Sequence, residues 1–336
     1  MSTAEALRLF RINVETCMRP NSDGFWPRTV VGHARPPKRQ LRASFAVRQG
    51  PLYVIIFPLI DVVDKGTKRM NKPLEQAYTL QRNLRRAFDL SLTPAQLRAS
   101  FSRFMGQFPT PEDVKFETLM AGEIPRVALA AGAKVLAVDY RCSPENKCPT
   151  ALNDAVAAYK WHLANGGKPD RTVITGDSAG GGLVISTLVA LREQRVPLPA
   201  AGISISPWVE MEQCGASIMG NADKDPMLDK AILQKMAGAY LQGQDNRNKQ
   251  AAPLYADLSG LPPLLIQVGS IEILLDDSLR ITEKARAAGT EVELEVTEGA
   301  PHVWHWFASF LPEARTAIEK LGKFSRARME AASRKR

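Results

Sequence analysis

The strongest chemical signal in this chain of 336 residues is a serine at a glycine-flanked turn. Ser178 lies in the pentapeptide GDSAG, which has the G-x-S-x-G pattern, between a short β-branched segment at 171–175 and a segment rich in small residues. A sharp strand-to-helix turn exposes such a serine, and N–H groups at the helix N-terminus stabilise an oxyanion. The competing interpretation is a phosphate-binding turn, but the spacing fits neither G-x-G-x-x-G nor a P-loop. We therefore predict Ser178 as the nucleophile and the Ala179 N–H as an oxyanion donor.

A serine nucleophile needs a base, and the chain has only four histidines. His33 lies in a basic linker, and His162 lies inside a predicted helix before the serine motif. His302 follows Gly-Ala-Pro in the loop after the last predicted strand, whereas His305 falls at or near the next helix. A loop leaving that strand is where a site at the sheet edge collects its base, so we predict His302.

A carboxylate must orient the histidine, and it should follow another strand between the serine and the histidine. The segment GSIEILLDD directly follows the predicted strand 264–268 and contains Glu272, Asp276 and Asp277. Glu272 is nearest the end of the strand, whereas the two aspartates suit the cap of the helix that follows. On pattern alone, Glu272 and Asp276 are nearly equal candidates for the acid.

Strands and helices are predicted to alternate from Gly132 onward. The strands are predicted over 134–140, 171–175, 202–206, 264–268 and 291–296, and the helices over 151–164, 178–194, 275–288 and 312–325. Helices of this length between strands are typical of right-handed crossovers in a mostly parallel sheet. The fold class is therefore α/β, with a mostly parallel sheet flanked by helices.

The segment before Gly132 is less regular. Helical patterning begins near Leu80, and one apolar helical face is predicted from Leu97, Phe101, Phe104 and Phe108. The most apolar run, LYVIIFPLIDVV at 52–63, is too short to span a bilayer and is interrupted by proline and aspartate. We predict a buried strand in this run.

The basic charge of the chain is unevenly distributed. The net charge of +9 is concentrated at the ends, with nine basic and three acidic residues in 1–50 and six against one in 323–336. We interpret these ends as solvated and poorly ordered, with binding to nucleic acid or an anionic membrane as the alternative.

The four cysteines, Cys17, Cys142, Cys148 and Cys214, match no zinc or redox motif, and no secretory signal is visible. We expect free thiols, a cytoplasmic location, and neither a metal nor a cofactor.

Six segments together resemble the hormone-sensitive-lipase-like group of α/β-hydrolases. They are DYRCSPENKCPTALNDAVAAYKW (139–161), ITGDSAGGGL (174–183), SISPWVEM (204–211), ADKDPML (222–228), PLYADLSGLPPLLIQVGS (253–270) and EGAPHVWH (298–305). The resemblance implies an α/β-hydrolase fold with an N-terminal helical cap, to which 92–125 is similar. It also implies a carboxylesterase activity and an acid about thirty residues before the histidine. That spacing favours Glu272 over Asp276.

The same resemblance identifies a segment that the chain lacks. The family carries a His-Gly-Gly-Gly-like loop upstream of the strand matching 134–140, and its N–H groups complete the oxyanion hole. Here no two glycines are adjacent before Gly166. We interpret this as an internal deletion that also removes a central strand. The run at 52–63 is the candidate to fill the gap, although it lacks those glycines.

The domain and function predictions follow. We predict an atypical basic extension (1–80), cap-like helices and a first strand (81–125), the catalytic domain (126–325) and a basic tail (326–336). The favoured function is a serine carboxylesterase for small acyl esters, weakened by loss of the oxyanion loop. The alternatives are an inactive small-molecule-binding relative and an adaptor for an acidic partner. We expect a small-molecule ester as partner, allow for a homodimer, and expect neither nucleic acid nor a membrane span.

Overall fold

A computed structural model describes residues 53–57, as backbone, and residues 73–87, 91–93, 96, 100 and 130–334. His33, Cys17 and the predicted helical face from Leu97 to Phe108 lie outside the described residues. Six parallel strands in the described part form one sheet in the order β2-β1-β3-β4-β5-β6. The strands are β1 (Tyr53–Phe57), β2 (Lys134–Ala137), β3 (Thr172–Asp177), β4 (Ala201–Ile205), β5 (Leu264–Gly269) and β6 (Val292–Thr297).

Helices separate most of these strands, as the sequence predicts for right-handed crossovers. The α-helices of the described residues are α1 (Pro73–Ala87), α2 (Thr150–Ala164), α3 (Ala179–Glu193), α4 (Ser217–Gly220), α5 (Lys230–Leu241), α6 (Leu275–Ala287) and α7 (Pro312–Arg334). From residue 134 onward, the observed bounds of each strand and helix lie within a few residues of the predicted bounds, apart from the end of the last helix. The parallel α/β architecture is therefore confirmed.

Strand β1 is an internal strand of the sheet, between β2 and β3. Its register pairs Tyr53 with Lys134 of β2 on one side and with Thr172 of β3 on the other. The run at 52–63 therefore does supply the strand beside the one that leads to Ser178, as predicted. The chain leaves β1, forms the strand on one side of it and then crosses to the other side. Such a reversal of strand order opens a crevice at the carboxyl ends of the strands, where ligands bind in open α/β sheets.

Alternating side chains of the sheet enter two separate apolar layers. Val173 and Leu265 belong to a cluster with helix α7, whereas Ile174, Leu264 and Ile266 belong to a cluster with helices α2 and α3. The sheet is thus buried on both faces, which fixes the register of each strand. Side chains at the strand ends consequently have fixed positions.

Helix α7 extends further than the predicted helix at 312–325. It continues to Arg334 through most of the predicted basic tail. Met329 is fully buried, and the Arg328 guanidinium pairs with the carboxylates of Glu291 and Glu293. The expectation of a solvated, poorly ordered tail is wrong over these residues, because apolar burial and ion pairing hold them to the sheet edge. Among the described residues, no helix combines the length and apolar composition needed to cross a membrane.

Helix α1 begins at Pro73, seven residues before the predicted start near Leu80. Proline is favoured in the first turn of a helix, where its missing N–H is not needed. Ala77, Gln81 and Leu84 lie on one buried face. This face is not apparent as an apolar helical pattern in the sequence, because a glutamine lies between the two apolar positions. The predicted domain division at residues 80 and 81 falls inside this helix.

Candidate active site

Ser178 lies in the sharp turn between strand β3 and helix α3. Its backbone has φ 55° and ψ −118°, a conformation that costs free energy in a residue other than glycine. The turn is held by the Ser178 N–H, which donates to the Ile205 carbonyl at 2.8 Å, and by the Trp208 N–H, which donates to the Ser178 carbonyl at 3.0 Å. A side chain at Gly176 would collide with the Gly180 carbonyl. The glycines of the motif therefore permit the tight packing that positions Ser178.

The structure brings Ser178, His302 and Glu272 together in one hydrogen-bonded chain. Nε2 of His302 lies 2.9 Å from Oγ of Ser178, and Nδ1 of His302 lies 2.7 Å from Oε2 of Glu272. Each of the three follows a different strand, β3, β5 or β6, at the same edge of the sheet. All three side chains are buried. The geometry is that of a nucleophile, a base and an acid.

Two further donors hold the Glu272 carboxylate. Its Oε1 accepts from the Gly269 N–H at 2.6 Å and from the Ser206 hydroxyl at 2.7 Å. The Ser206 oxygen in turn accepts from the Val303 N–H at 3.1 Å. Ser206 thus links the acid loop to the backbone beside His302. Sequence reasoning missed this residue, although it lies in the segment SISPWVEM that carries the family resemblance.

Asp276, the alternative acid, has a different role. Its Oδ2 accepts from the Ser217 N–H at 3.0 Å, and its own N–H donates to the Ser217 hydroxyl at 2.9 Å. These reciprocal bonds tie the start of helix α6 to the start of helix α4. The structure therefore does not bring Asp276 to His302. Both aspartate and glutamate lie near the end of β5, but only Glu272 directs its carboxylate along the sheet edge.

The other histidines of the described residues have structural partners. Nε2 of His305 lies 2.7 Å from the Gln267 side-chain oxygen, and burial lowers the His305 pKa to about 3. Nε2 of His162 lies 3.0 Å from the Thr172 hydroxyl, and burial lowers the His162 pKa to about 4. Both are neutral near pH 7. Neither contacts Ser178.

Three buried acids make the site favourable for a histidine cation. Burial alone lowers the pKa of His302, but the charge and hydrogen bond of Glu272 and the charges of Asp225 and Asp177 outweigh it, so the pKa is raised. Burial raises the pKa of Asp177 to about 6 despite the neighbouring His302. These carboxylates therefore favour the protonated imidazole of His302.

Ala179 is the first residue of helix α3. The N–H groups of a helix's first turn have no partner within the helix, and the helix dipole adds partial positive charge there. The Ala179 N–H is therefore suited to an oxyanion on Ser178. Strand β1 ends at Phe57, and the next residue is Pro58, which has no N–H to offer. Residues 58–72 lie outside the described residues.

One group of side chains in the described residues has ligand atoms close enough for a metal ion. Atoms of Glu210, Glu212 and Cys214 lie within 4.8 Å of one another. Glu210 already pairs with Arg280 at 3.3 Å, and Glu212 pairs with Arg247 at 3.0 Å. A cation here would compete with two guanidinium groups. Within the described residues, Cys142, Cys148 and Cys214 form no disulfide.

Comparison with known proteins identifies the family of the chain. A family model described as the alpha/beta hydrolase fold matches residues 120–306, more than half of the chain. An esterase structure from the bacterial hormone-sensitive lipase family is 38% identical, with a TM-score of 0.74 over 78% of this chain and 100% of that one. This chain belongs to that family of α/β-hydrolases. The predicted family resemblance is thereby confirmed, whereas the missing oxyanion loop stays a prediction.

Two curated relatives are similar over a shorter span. An acetyl-hydrolase of Streptomyces hygroscopicus is 49% identical over 197 residues, which is 59% of this chain and 66% of that protein. An esterase of Acinetobacter venetianus RAG-1 is 34% identical over 193 residues, 57% of this chain and 64% of that protein. The chain thus spans just under two thirds of the length of these relatives. Helix α1 lies upstream of the region that the family model matches.

Proposed function

We propose that the protein is a serine carboxylesterase that hydrolyses small acyl esters. The observation that carries this proposal is the hydrogen-bonded chain from Ser178 Oγ through His302 to Glu272, at 2.9 Å and 2.7 Å. The similarity to an acetyl-hydrolase supports a short acyl group. In this proposal Ser178 is the nucleophile, His302 the base, Glu272 the acid that orients it, and Ala179 an oxyanion donor.

The first half-reaction transfers the acyl group to the protein. Oγ of Ser178 attacks the ester carbonyl carbon while Nε2 of His302 takes the hydroxyl proton. The oxyanion accepts a hydrogen bond from the Ala179 N–H, and Glu272 stabilises the imidazolium. The intermediate then collapses, and His302 donates its proton to the departing alcohol. An acyl ester on Ser178 remains.

The second half-reaction releases the acid. Water attacks the acyl carbon while Nε2 of His302 takes one of its protons, which forms a second oxyanion at the same donor. The bond to Ser178 breaks, and its Oγ recovers the proton from His302. A carboxylic acid is released, and the site returns to its starting protonation state.

We further propose that turnover is slower than in a family member with the glycine-rich loop. The support is the sequence, which has no adjacent glycines before Gly166 and a proline directly after β1. Loss of one oxyanion donor costs about 10²–10³ in rate. Proton transfer between Ser178 and His302 does not use that loop. We expect labelling by a fluorophosphonate to be retained better than turnover of p-nitrophenyl acetate, each measured against such a relative.

The two rates also separate the enzyme from the alternative of a binding protein. Stoichiometric labelling with slow, measurable hydrolysis fits an enzyme with an incomplete oxyanion hole. Labelling without any hydrolysis would favour the binding protein, which retains the site but not the chemistry. Hydrolysis at the relative's full rate, lost in Ser178→Ala, would mean that other residues supply the missing donors and would contradict the proposed impairment.

The pH dependence of kcat/KM should report the ionisation of His302. The base acts only when neutral, so activity should rise with pH and reach half its maximum above the ordinary histidine value of about 6.5. The carboxylates of Glu272, Asp225 and Asp177 favour the cation and hold the His302 pKa up. Asp177→Asn removes one of these charges and should move the midpoint to lower pH. A midpoint that stays fixed or rises in Asp177→Asn would contradict this electrostatic account.

A further inference from the structure

The loop that carries His302 is held from the sheet side by two serines. The Gly299 N–H donates to the Ser270 hydroxyl at 2.9 Å, and the Val303 N–H donates to the Ser206 hydroxyl at 3.1 Å. These bonds use the N–H groups of the loop. Its carbonyl groups need donors from elsewhere, since buried backbone groups are rarely left without a partner.

Helix α1 supplies those donors from the opposite side. The Gln81 side-chain amide donates to the His302 carbonyl, and the Tyr78 hydroxyl donates to the Gly299 carbonyl. Each bond joins residues 221 positions apart in the chain. Ala77 and Leu84 of α1 pack in the apolar cluster that also contains Val303. The helix therefore contacts the base loop through apolar packing and two hydrogen bonds.

The same helix is linked to the acid loop indirectly, through the segment that contains Asp225 and Asp229. The Arg85 guanidinium pairs with the Asp229 carboxylate at 3.0 Å and donates to the Asp225 carbonyl at 3.3 Å. The Asp225 carboxylate accepts from the Ile273 N–H at 2.9 Å, directly beside Glu272. Tyr78, Gln81 and Arg85 thus connect one helix to the segments that place the base and the acid.

Packing alone does not account for a glutamine at position 81, because an apolar side chain would be more stable there. Its side chain is fully buried, and Oε1 has no hydrogen-bond partner among the described residues. A half-satisfied buried amide costs stability relative to an apolar side chain of similar size. The benefit must then come from the amide donor on the His302 carbonyl. Small displacements of a catalytic group reduce rates sharply, so a bond that fixes the His302 backbone can affect the rate.

From these contacts we infer that Gln81 is a positioning residue that sets the His302 imidazole between Ser178 and Glu272. The inference rests on the proposed esterase function and extends it to a helix upstream of the family-matched region. Gln81 acts through the His302 backbone and does not touch the reacting atoms. The position of the base in this chain therefore depends on helix α1.

Gln81→Met tests the inference, because methionine retains the volume and removes the donor. We expect kcat and the rate of fluorophosphonate labelling to fall about tenfold, the effect of losing one hydrogen bond, with KM little changed. The melting temperature should change by only a few degrees, since the variant removes the unpaired Oε1 but leaves the His302 carbonyl without its donor. Arg82→Met, at the exposed neighbouring position, is the matched control and should leave all these values unchanged.

A second readout does not depend on turnover. The proton shared by His302 Nδ1 and Glu272 gives a low-field NMR resonance, which should shift in Gln81→Met and, by less, in Tyr78→Phe. If wild type neither hydrolyses nor labels, the proposed function fails, while this resonance still tests the positioning. An unchanged resonance together with an unchanged labelling rate would overturn the inference. The inference would also be overturned if labelling of Gln81→Met fell only in proportion to the fraction of protein that is unfolded.

Discussion

Ser178→Ala should abolish hydrolysis of p-nitrophenyl acetate and labelling by a fluorophosphonate. Loss of a nucleophilic serine from an intact triad lowers kcat by about 10⁴–10⁶-fold. If turnover starts low, the variant should reach the background rate of buffer. The fold should persist, because the substitution removes one oxygen from a site that keeps its backbone bonds to Ile205 and Trp208. Steady-state rates, peptide mapping of the labelled protein and a melting curve measure the three outcomes.

Ser186→Ala is the control for this variant. Ser186 is a buried serine of helix α3, two turns beyond Ser178, and lies outside the hydrogen-bonded chain. We expect it to hydrolyse and label as wild type does. Stoichiometric labelling of another serine, with Ser178 unmodified, would show that the nucleophile has been assigned to the wrong residue.

The proximity of Ser178 and His302 could be predicted from sequence because each residue lies in a local pattern. The GDSAG turn needs small residues close to Ser178. The sequence shows these residues directly, between a predicted strand and a predicted helix. His302 could be separated from His305 because the two fall on either side of a loop–helix boundary. The place of the run at 52–63 beside strand β3 was also predictable, since one apolar strand-like segment remained unassigned.

The supporting contacts could not be predicted, because they join segments far apart in the chain. Gln81 appears in the sequence as a polar residue that interrupts an apolar helical face, and only the fold shows that it is buried against the His302 loop. Ser206 bonds to Glu272 across 66 residues. Met329 is buried only because helix α7 packs against the sheet. Local pattern carries no information on such contacts.

The start of helix α6 explains why Glu272 and not Asp276 lies against His302. Both residues follow strand β5, and the sequence pattern alone left them nearly equal. Glu272 is reached first, before helix α6 begins at Leu275, so its side chain stays at the sheet edge near His302. Asp276 is already in the first turn of α6 and bonds to Ser217. The helix start therefore separates the two roles.

Glu272→Gln should lower kcat/KM by about 10⁴-fold, although it changes the shape of the side chain little. Oε1 of Glu272 accepts from the Gly269 N–H and the Ser206 hydroxyl, so the glutamine oxygen must occupy that position. The glutamine NH₂ then faces Nδ1 of His302 and donates to it. That bond holds the proton of the neutral imidazole on Nε2. An Nε2 that carries a proton cannot take one from Ser178.

Asp276→Asn is the matched control, because it makes the same chemical change four residues away. We expect its kcat/KM to stay close to wild type, with at most a modest fall in melting temperature from weaker bonding to Ser217. Steady-state kinetics on p-nitrophenyl acetate and thermal melts of both variants make the comparison. If Asp276→Asn loses activity while Glu272→Gln retains it, the acid has been assigned to the wrong carboxylate. Because glutamine preserves the Oε1 contacts, the loss in Glu272→Gln should appear in the rate and not in the fold.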